Sequence, residues 1–97
     1  MNTTEQIKIK HFIPVYSNKG GITVAYRRPK GAEVMELSVA ICSKNDQYCK
    51  RTGRFHALRK FMNKETILLP IEKDDNSVNF LNDRFEDYVN NVNSTNF

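Results

Sequence analysis

Several features that would fix a protein's class early are missing from this sequence. No apolar run approaches the roughly 20 residues of a transmembrane helix, which excludes a helical membrane protein. The opening residues, Met1-Asn2-Thr3-Thr4-Glu5-Gln6, lack the basic flank and apolar core of a signal peptide, so a cytoplasmic product is expected. Cysteine is scarce: Cys42 and Cys49 are the only two, and without a secretion signal they are expected to stay reduced. No glycine-rich loop leads into Lys and Ser/Thr, so nucleotide hydrolysis has no motif behind it. Helix-turn-helix, zinc-finger and RNP-type patterns are absent as well, which argues against base-specific reading by those modules.

The residues that could do chemistry do not form a constellation. Cys42, Cys49 and His56 are spaced seven apart, whereas zinc ligands come in closely spaced pairs. His11 and His56 would have to meet to act as a ribonuclease-like acid–base pair, and nothing in the sequence brings them together. We therefore expect a protein without enzymatic activity, metal or cofactor.

Ninety-seven residues make one domain with one modest core. A hydrophobic fraction of 39% and a charged fraction of 27% are those of an ordinary globular chain. The net charge of +4 is unevenly spread. Up to Lys64 there are 13 Lys and Arg against 4 Asp and Glu; from Glu65 onward there are 2 against 7. Such a split describes a polyanion-binding body with an acidic appendage.

Periodicity gives the elements. Ile7, Ile9, Ile13 and Val15 alternate as one face of a strand. The segment Ser17 to Gly21 has turn chemistry, after which Ile22, Val24 and Tyr26 alternate as a second strand. A turn at Arg28-Pro29-Lys30-Gly31 leads to a third strand, with Met35, Leu37, Val39 and Ile41 on one side. Ser43-x-x-Asp46 has the form of a helix start, so a first helix is predicted from about Asp46 to Met62. Two stripes compete for its buried side: Cys49, Gly53 and Ala57, or Tyr48, Phe55, Leu58 and Met62. Residues 66–72 read as a short strand that Pro70 pushes to a sheet edge. A second helix follows Asp74-Asp75-Asn76-Ser77, with Val78, Leu81, Phe85, Tyr88 and Val92 on one stripe, and residues 90–97 read as a polar tail. The expected fold is α+β, a small antiparallel sheet in β-β-β-α-β-α order with two helices packed on one face. That arrangement leaves Phe12, Tyr16 and Phe80 uncovered, from which a homodimer is expected.

The first helix carries Lys50, Arg51, Arg54, Arg59 and Lys60, with Lys44 just before it. The turn between the second and third strands adds Arg27, Arg28 and Lys30. A positive helix beside a positive turn suits a phosphate backbone. Tyr26, Tyr48 and His56 are candidates for stacking on unpaired bases, while Phe55 reads as a core residue.

The blocks Gly21-Ile22-Thr23-Val24-Ala25-Tyr26, Ala40-Ile41-Cys42-Ser43-Lys44-Asn45-Asp46 and Lys50-Arg51-Thr52-Gly53-Arg54 resemble a recurring pattern in short bacteriophage proteins. The pattern is similar to that of the T-even phage ToxN inhibitory factor (TifA) group and covers about residues 20 to 61. The resemblance implies an RNA-binding accessory protein that inhibits a host endoribonuclease toxin, with RNA and the toxin as partners. It does not distinguish residues that touch RNA from residues that touch toxin. A protein–protein inhibitor without nucleic acid and a small DNA-binding regulator are the other readings the residues allow.

Overall fold

The alternating segments become strands and the segments of longer period become helices, in the order β1 (Lys8–Phe12), β2 (Lys19–Arg27), β3 (Val34–Gln47), α1 (Lys50–Met62), β4 (Ile67–Pro70) and α2 (Ser77–Ser94). The computed structural model describes residues 6–15, 17–29 and 32–94, the last stretch from 87 onward as backbone alone. The strands form one antiparallel sheet in the order β1-β2-β3-β4. This is the expected α+β class with the expected element order. Pro70 sits in the edge strand β4, where its missing N–H weakens no central ladder.

The helices do not share a face as expected; the sheet lies between them. In β2 every residue from Gly20 to Tyr26 is buried, so both faces of that strand need cover. Period-two alternation sends Ile22, Val24 and Tyr26 to one side, where they pack with Phe12, Met35, Leu37, Ile71 and Leu81 of α2. It sends Ala25 to the other side, where it packs with Ala40 and with Ala57 and Phe61 of α1, flanked by Ile7 and Ile9. One helix cannot cover both. Burying a side chain such as Leu81 or Phe12 contributes about 1.5–3 kcal/mol, so neither layer is dispensable.

Two of the three residues from which a homodimer was expected are wholly or partly covered within the chain. Phe12 is buried in the larger cluster, its ring 5.5 Å from that of Phe85. Phe80 is half-buried with the Arg84 guanidinium 4.4 Å above it. Tyr16 lies outside the described residues. α2 continues to Ser94, past the point at which the polar tail was expected to begin, and 95–97 lie outside the described residues.

α1 starts four residues later than predicted. Gly20 and Gly21 belong to β2 at φ 80° and 138°, not to the preceding turn. Between them and β3 the register jumps from Gly21↔Cys42 to Lys19↔Gln47, so β3 carries a large bulge with four residues opposite Gly20. Ser43-Lys44-Asn45-Asp46 is that bulge, and the Ser43 hydroxyl accepts the Asn45 N–H at 3.2 Å instead of capping a helix. Beyond it, the Tyr48 N–H donates to the Asn18 carbonyl at 3.0 Å, and the Tyr48 ring occupies the space over Gly21 where a side chain would stand.

The smaller of the two candidate stripes faces the sheet. Ala57 is fully buried, while Phe55 is 58% and Met62 70% exposed. Gly53 lies against the side chain of Thr23. The buried Ser38 hydroxyl donates to the Ala57 carbonyl at 2.7 Å, fixing helix to strand at that close approach. A Cβ at residue 53 would collide with Thr23 Oγ1 and stand 3.2 Å from the Tyr48 hydroxyl. Gly53→Ala should therefore destabilise the fold by about 1–3 kcal/mol through overpacking. Helix propensity alone would stabilise it by about 1 kcal/mol. Equilibrium urea unfolding checks the sign: an unchanged or raised midpoint would show that α1 is not held this close.

Candidate nucleic-acid interface

With Gly53, Ala57 and Phe61 turned to the sheet, helical geometry turns Arg51, Phe55 and Arg59 away from it and leaves Lys50, Arg54 and Lys60 towards the sheet-facing side and its flanks. Lys50, Arg51, Arg54, Arg59 and Lys60 are all exposed, and the 13-residue helix contains no Asp or Glu. Lys44 is exposed on the neighbouring bulge. Phe55 follows Gly53 by two residues, about 200° round the helix, which places it in the middle of the outer face. It forms an i, i+4 row with Arg51 and Arg59, and the Arg59 guanidinium lies 6.0 Å from its ring. The His56 ring meets Phe55 edge-on at 5.5 Å. Phe55 is the residue that sequence reasoning misplaced: the signal was present in the Gly53–Ala57 spacing, because choosing that stripe for the sheet leaves Phe55 nowhere to be buried.

The other candidates divide. Arg28 is committed to the fold: its Nε donates to the Ala32 carbonyl at 2.8 Å, Nη2 to the Glu72 and Lys73 carbonyls at 2.9 and 3.0 Å, and Nη1 to the Asp75 carbonyl and the Ser77 hydroxyl. It ties the β2–β3 turn to the start of α2. Arg27 pairs with Glu36 at 2.8 Å and lies 5.4 Å from the Phe61 ring. The Thr66 hydroxyl and Arg27 together hold the Glu36 carboxyl below its usual pKa. Lys30 lies outside the described residues. Tyr26 is buried in the larger cluster and cannot serve as a stacking platform. Tyr48 is half-buried with its hydroxyl bonded beneath α1, so it too is structural. His56 remains exposed.

The two histidines enter different surroundings. His11 Nδ1 lies 2.8 Å from the Tyr48 hydroxyl and 3.0 Å from Thr23 Oγ1, and those two hydroxyls bond to each other. Tyr48 also reaches the Ile22 carbonyl at 3.2 Å. His56 is on the flank of α1 towards β3 and shares none of these partners. Cys49 precedes α1, and the Thr52 hydroxyl with the nearby N–H groups lowers the pKa of its thiol. Among the described residues no group of three or more His, Cys, Asp or Glu is placed to hold a metal ion. No described helix is long and apolar enough to cross a membrane.

The chain matches no protein-family model, no curated protein and no solved structure in three separate comparisons.

The His11 cluster makes a testable statement about the foot of the basic face. Burial, then the charges of Lys50, Arg54 and Lys10, lower the His11 pKa below its ordinary 6.5. The unfolded chain thus binds a proton at His11 before the folded chain does. The resulting stability is complete above pH 6.5 and is lost as the pH falls towards the folded-state pKa. Melting temperature should fall between pH 7.5 and 5.5, and His11→Asn should flatten that dependence. An NMR titration placing the His11 imidazole above 6.5 would contradict the assignment.

Proposed function

We propose that the protein binds nucleic acid, RNA by preference, through the outward face of α1 and performs no chemistry on it. The observation that carries this reading is the composition of the exposed surface of α1: five exposed cations, no anion, and on its outward side an exposed phenylalanine set between two arginines. Lys and Arg alone would describe a solvated helix. An exposed aromatic among them is what an unpaired base stacks on, with phosphates on either side. Arg51 and Arg59 stand about 12 Å apart along the helix, a span that brackets the ring of Phe55. The acidic residues Glu72, Asp74, Asp75 and Asp83 belong to the β4–α2 loop and α2, on the far side of the sheet, where they do not oppose a polyanion at α1.

The segment resembling the ToxN inhibitory factor group spans most of β2, all of β3 and nearly all of α1, and so contains this whole face. On that resemblance the protein is a phage accessory factor acting in the host cytoplasm, and its further partner is a host endoribonuclease toxin or another defence protein.

Binding should depend steeply on salt. Contacts from Lys50, Arg51, Arg54 and Arg59 at about −0.7 per phosphate give a slope of roughly −3 for log K against log salt on a single strand. Arg51→Glu with Arg54→Glu should lower affinity at least tenfold. Both residues are exposed, so stability should change by less than about 0.5 kcal/mol for each. Fluorescence anisotropy across a salt series measures the first, and thermal melting the second. A slope near zero, or absence of nucleic acid from protein purified at low salt, would transfer the reading to a protein–protein inhibitor.

A further inference from the structure

The outer side of β3 is only half covered. β4 pairs with it from Val34↔Pro70 to Leu37↔Ile67, and from Ser38 to Gln47 no described strand lies on that side. α1 overhangs this bare stretch and closes it into a trough. Two cavities of about 330 and 300 Å³ lie along the trough, and Ala40, Ile41 and His56 line both. Their characters differ. The first is cationic, with Arg59 and Lys60 against the single acid Glu65. The second is mostly neutral, walled by Cys42, Cys49, Thr52 and Gly53, with Asp46 its one charged lining residue.

The direction of the backbone can be read from one contact. Lys60 Nζ donates to the Val39 carbonyl at 3.0 Å, so that carbonyl points out of the sheet's bare edge. Antiparallel alternation gives Ile41, two residues on, the same orientation, and presents its N–H and C=O together to the trough. A main-chain donor and acceptor side by side complement the donor–acceptor edge of a nucleobase as well as they complement a peptide. Two features disfavour a peptide strand. Lys60 already occupies the Val39 carbonyl, and the bulge between Cys42 and Gln47 ends any regular ladder after Ile41. The space that remains suits one planar group, not a strand. Both cavities are at the lower end of small-ligand sites, near 300 Å³.

We propose that this trough receives one unpaired nucleotide. Its phosphate sits at Arg59 and Lys60. Its base enters the neutral end, stacks on His56 and meets the N–H and C=O of Ile41. The inference rests on the nucleic-acid reading of α1 and adds to it that the bound RNA is single-stranded at this point, since a paired base cannot enter.

The test compares a fluorescently labelled short single-stranded RNA with the same RNA annealed to its complement, on the full chain. Wild type should bind the single strand about tenfold more tightly, in line with one stacked base. His56→Ala should bring the single-strand affinity down to the duplex value and leave the duplex value unchanged. A loss of charge alone would weaken both equally. In amide NMR spectra the Ile41 N–H should shift with the single strand and stay in place with the duplex. Equal affinity of wild type for both RNAs overturns the inference while leaving the α1 reading intact, and no binding of either overturns both. A single-strand preference that survives His56→Ala, with the Ile41 amide unmoved, assigns the stacking to Phe55 and overturns the trough. An extended acidic peptide that shifts the Ile41 amide and displaces RNA would make the trough a peptide groove, and would overturn it too.

Discussion

The contact between Gly53 and Thr23 determines how near α1 lies to the sheet, and most of the molecule follows from that approach. With no side chain at 53 and only a methyl at 57, the helix backbone settles directly onto β2 and β3. The Ala57 carbonyl then comes within reach of the Ser38 hydroxyl, so a polar group buried in a small apolar layer has its partner. Tyr48 is held under the first turn, its ring over Gly21 and its hydroxyl among Thr23, His11 and the Ile22 carbonyl. The sheet-facing side of the helix is narrow and filled by small residues and Phe61. Arg51 and Arg59 are thereby turned outward, and Lys50, Arg54 and Lys60 are exposed along the margins of the tight seam.

The second consequence is spatial separation of charge. A sequence that is basic early and acidic late would not segregate its charges if both helices lay side by side. Here β2 is buried on both faces, each helix takes one of them, and the sheet stands between the cations of α1 and the carboxylates around α2. Among the described early cations Lys10 and Arg28 lie on the α2 side, and Arg28 is spent on backbone carbonyls that close the turn before α2. The early excess of charge becomes a surface because the fold spends little of it internally.

Much of the fold could be read from residue spacing. The period-two runs located β1, β2 and β3, although Ile13 and Val15 lie beyond β1 and are exposed; Pro70 marked the edge strand, and Asn76 and Ser77 marked the start of α2, where the Asn76 carboxamide accepts the Val78 and Asn79 N–H groups at 2.9 and 3.1 Å. The failures have physical causes. Ser43-x-x-Asp46 has the letters of a capping box, but whether it caps a helix or turns within a bulge depends on the ladder, and the ladder is set by a long-range contact of Tyr48 with Gly21. The placement of both helices on one face assumed that a strand with large residues on one side is indifferent on the other. Ala25 is small and apolar, and Thr23 is small with its hydroxyl bonded to His11 and Tyr48, so that face also calls for cover. At the site, the cations on α1 were legible because position on a helix is a local property. The loss of Arg28, Tyr26 and Tyr48 was not, because their partners are distant in sequence.

Phe55 and the bare edge of β3 are two features that the packing of the fold does not require. An apolar ring kept in water forgoes the stabilisation that burial would give, and a strand edge without a neighbour invites pairing with another chain. The edge is partly blunted. Lys60 caps one carbonyl and the bulge breaks the ladder, devices that deter a full strand from adding. Neither device closes the space at Ile41, and His56 on the same flank of α1 connects that space to the ring of Phe55. A surface shaped only against aggregation would have covered the edge or charged it further. What stands there is a cationic rim, a neutral hollow and two adjacent rings on one helix. That combination disfavours long apolar or β-forming partners, and on the proposal of a bound nucleotide the exposed edge and the charge on α1 are parts of one recognition surface.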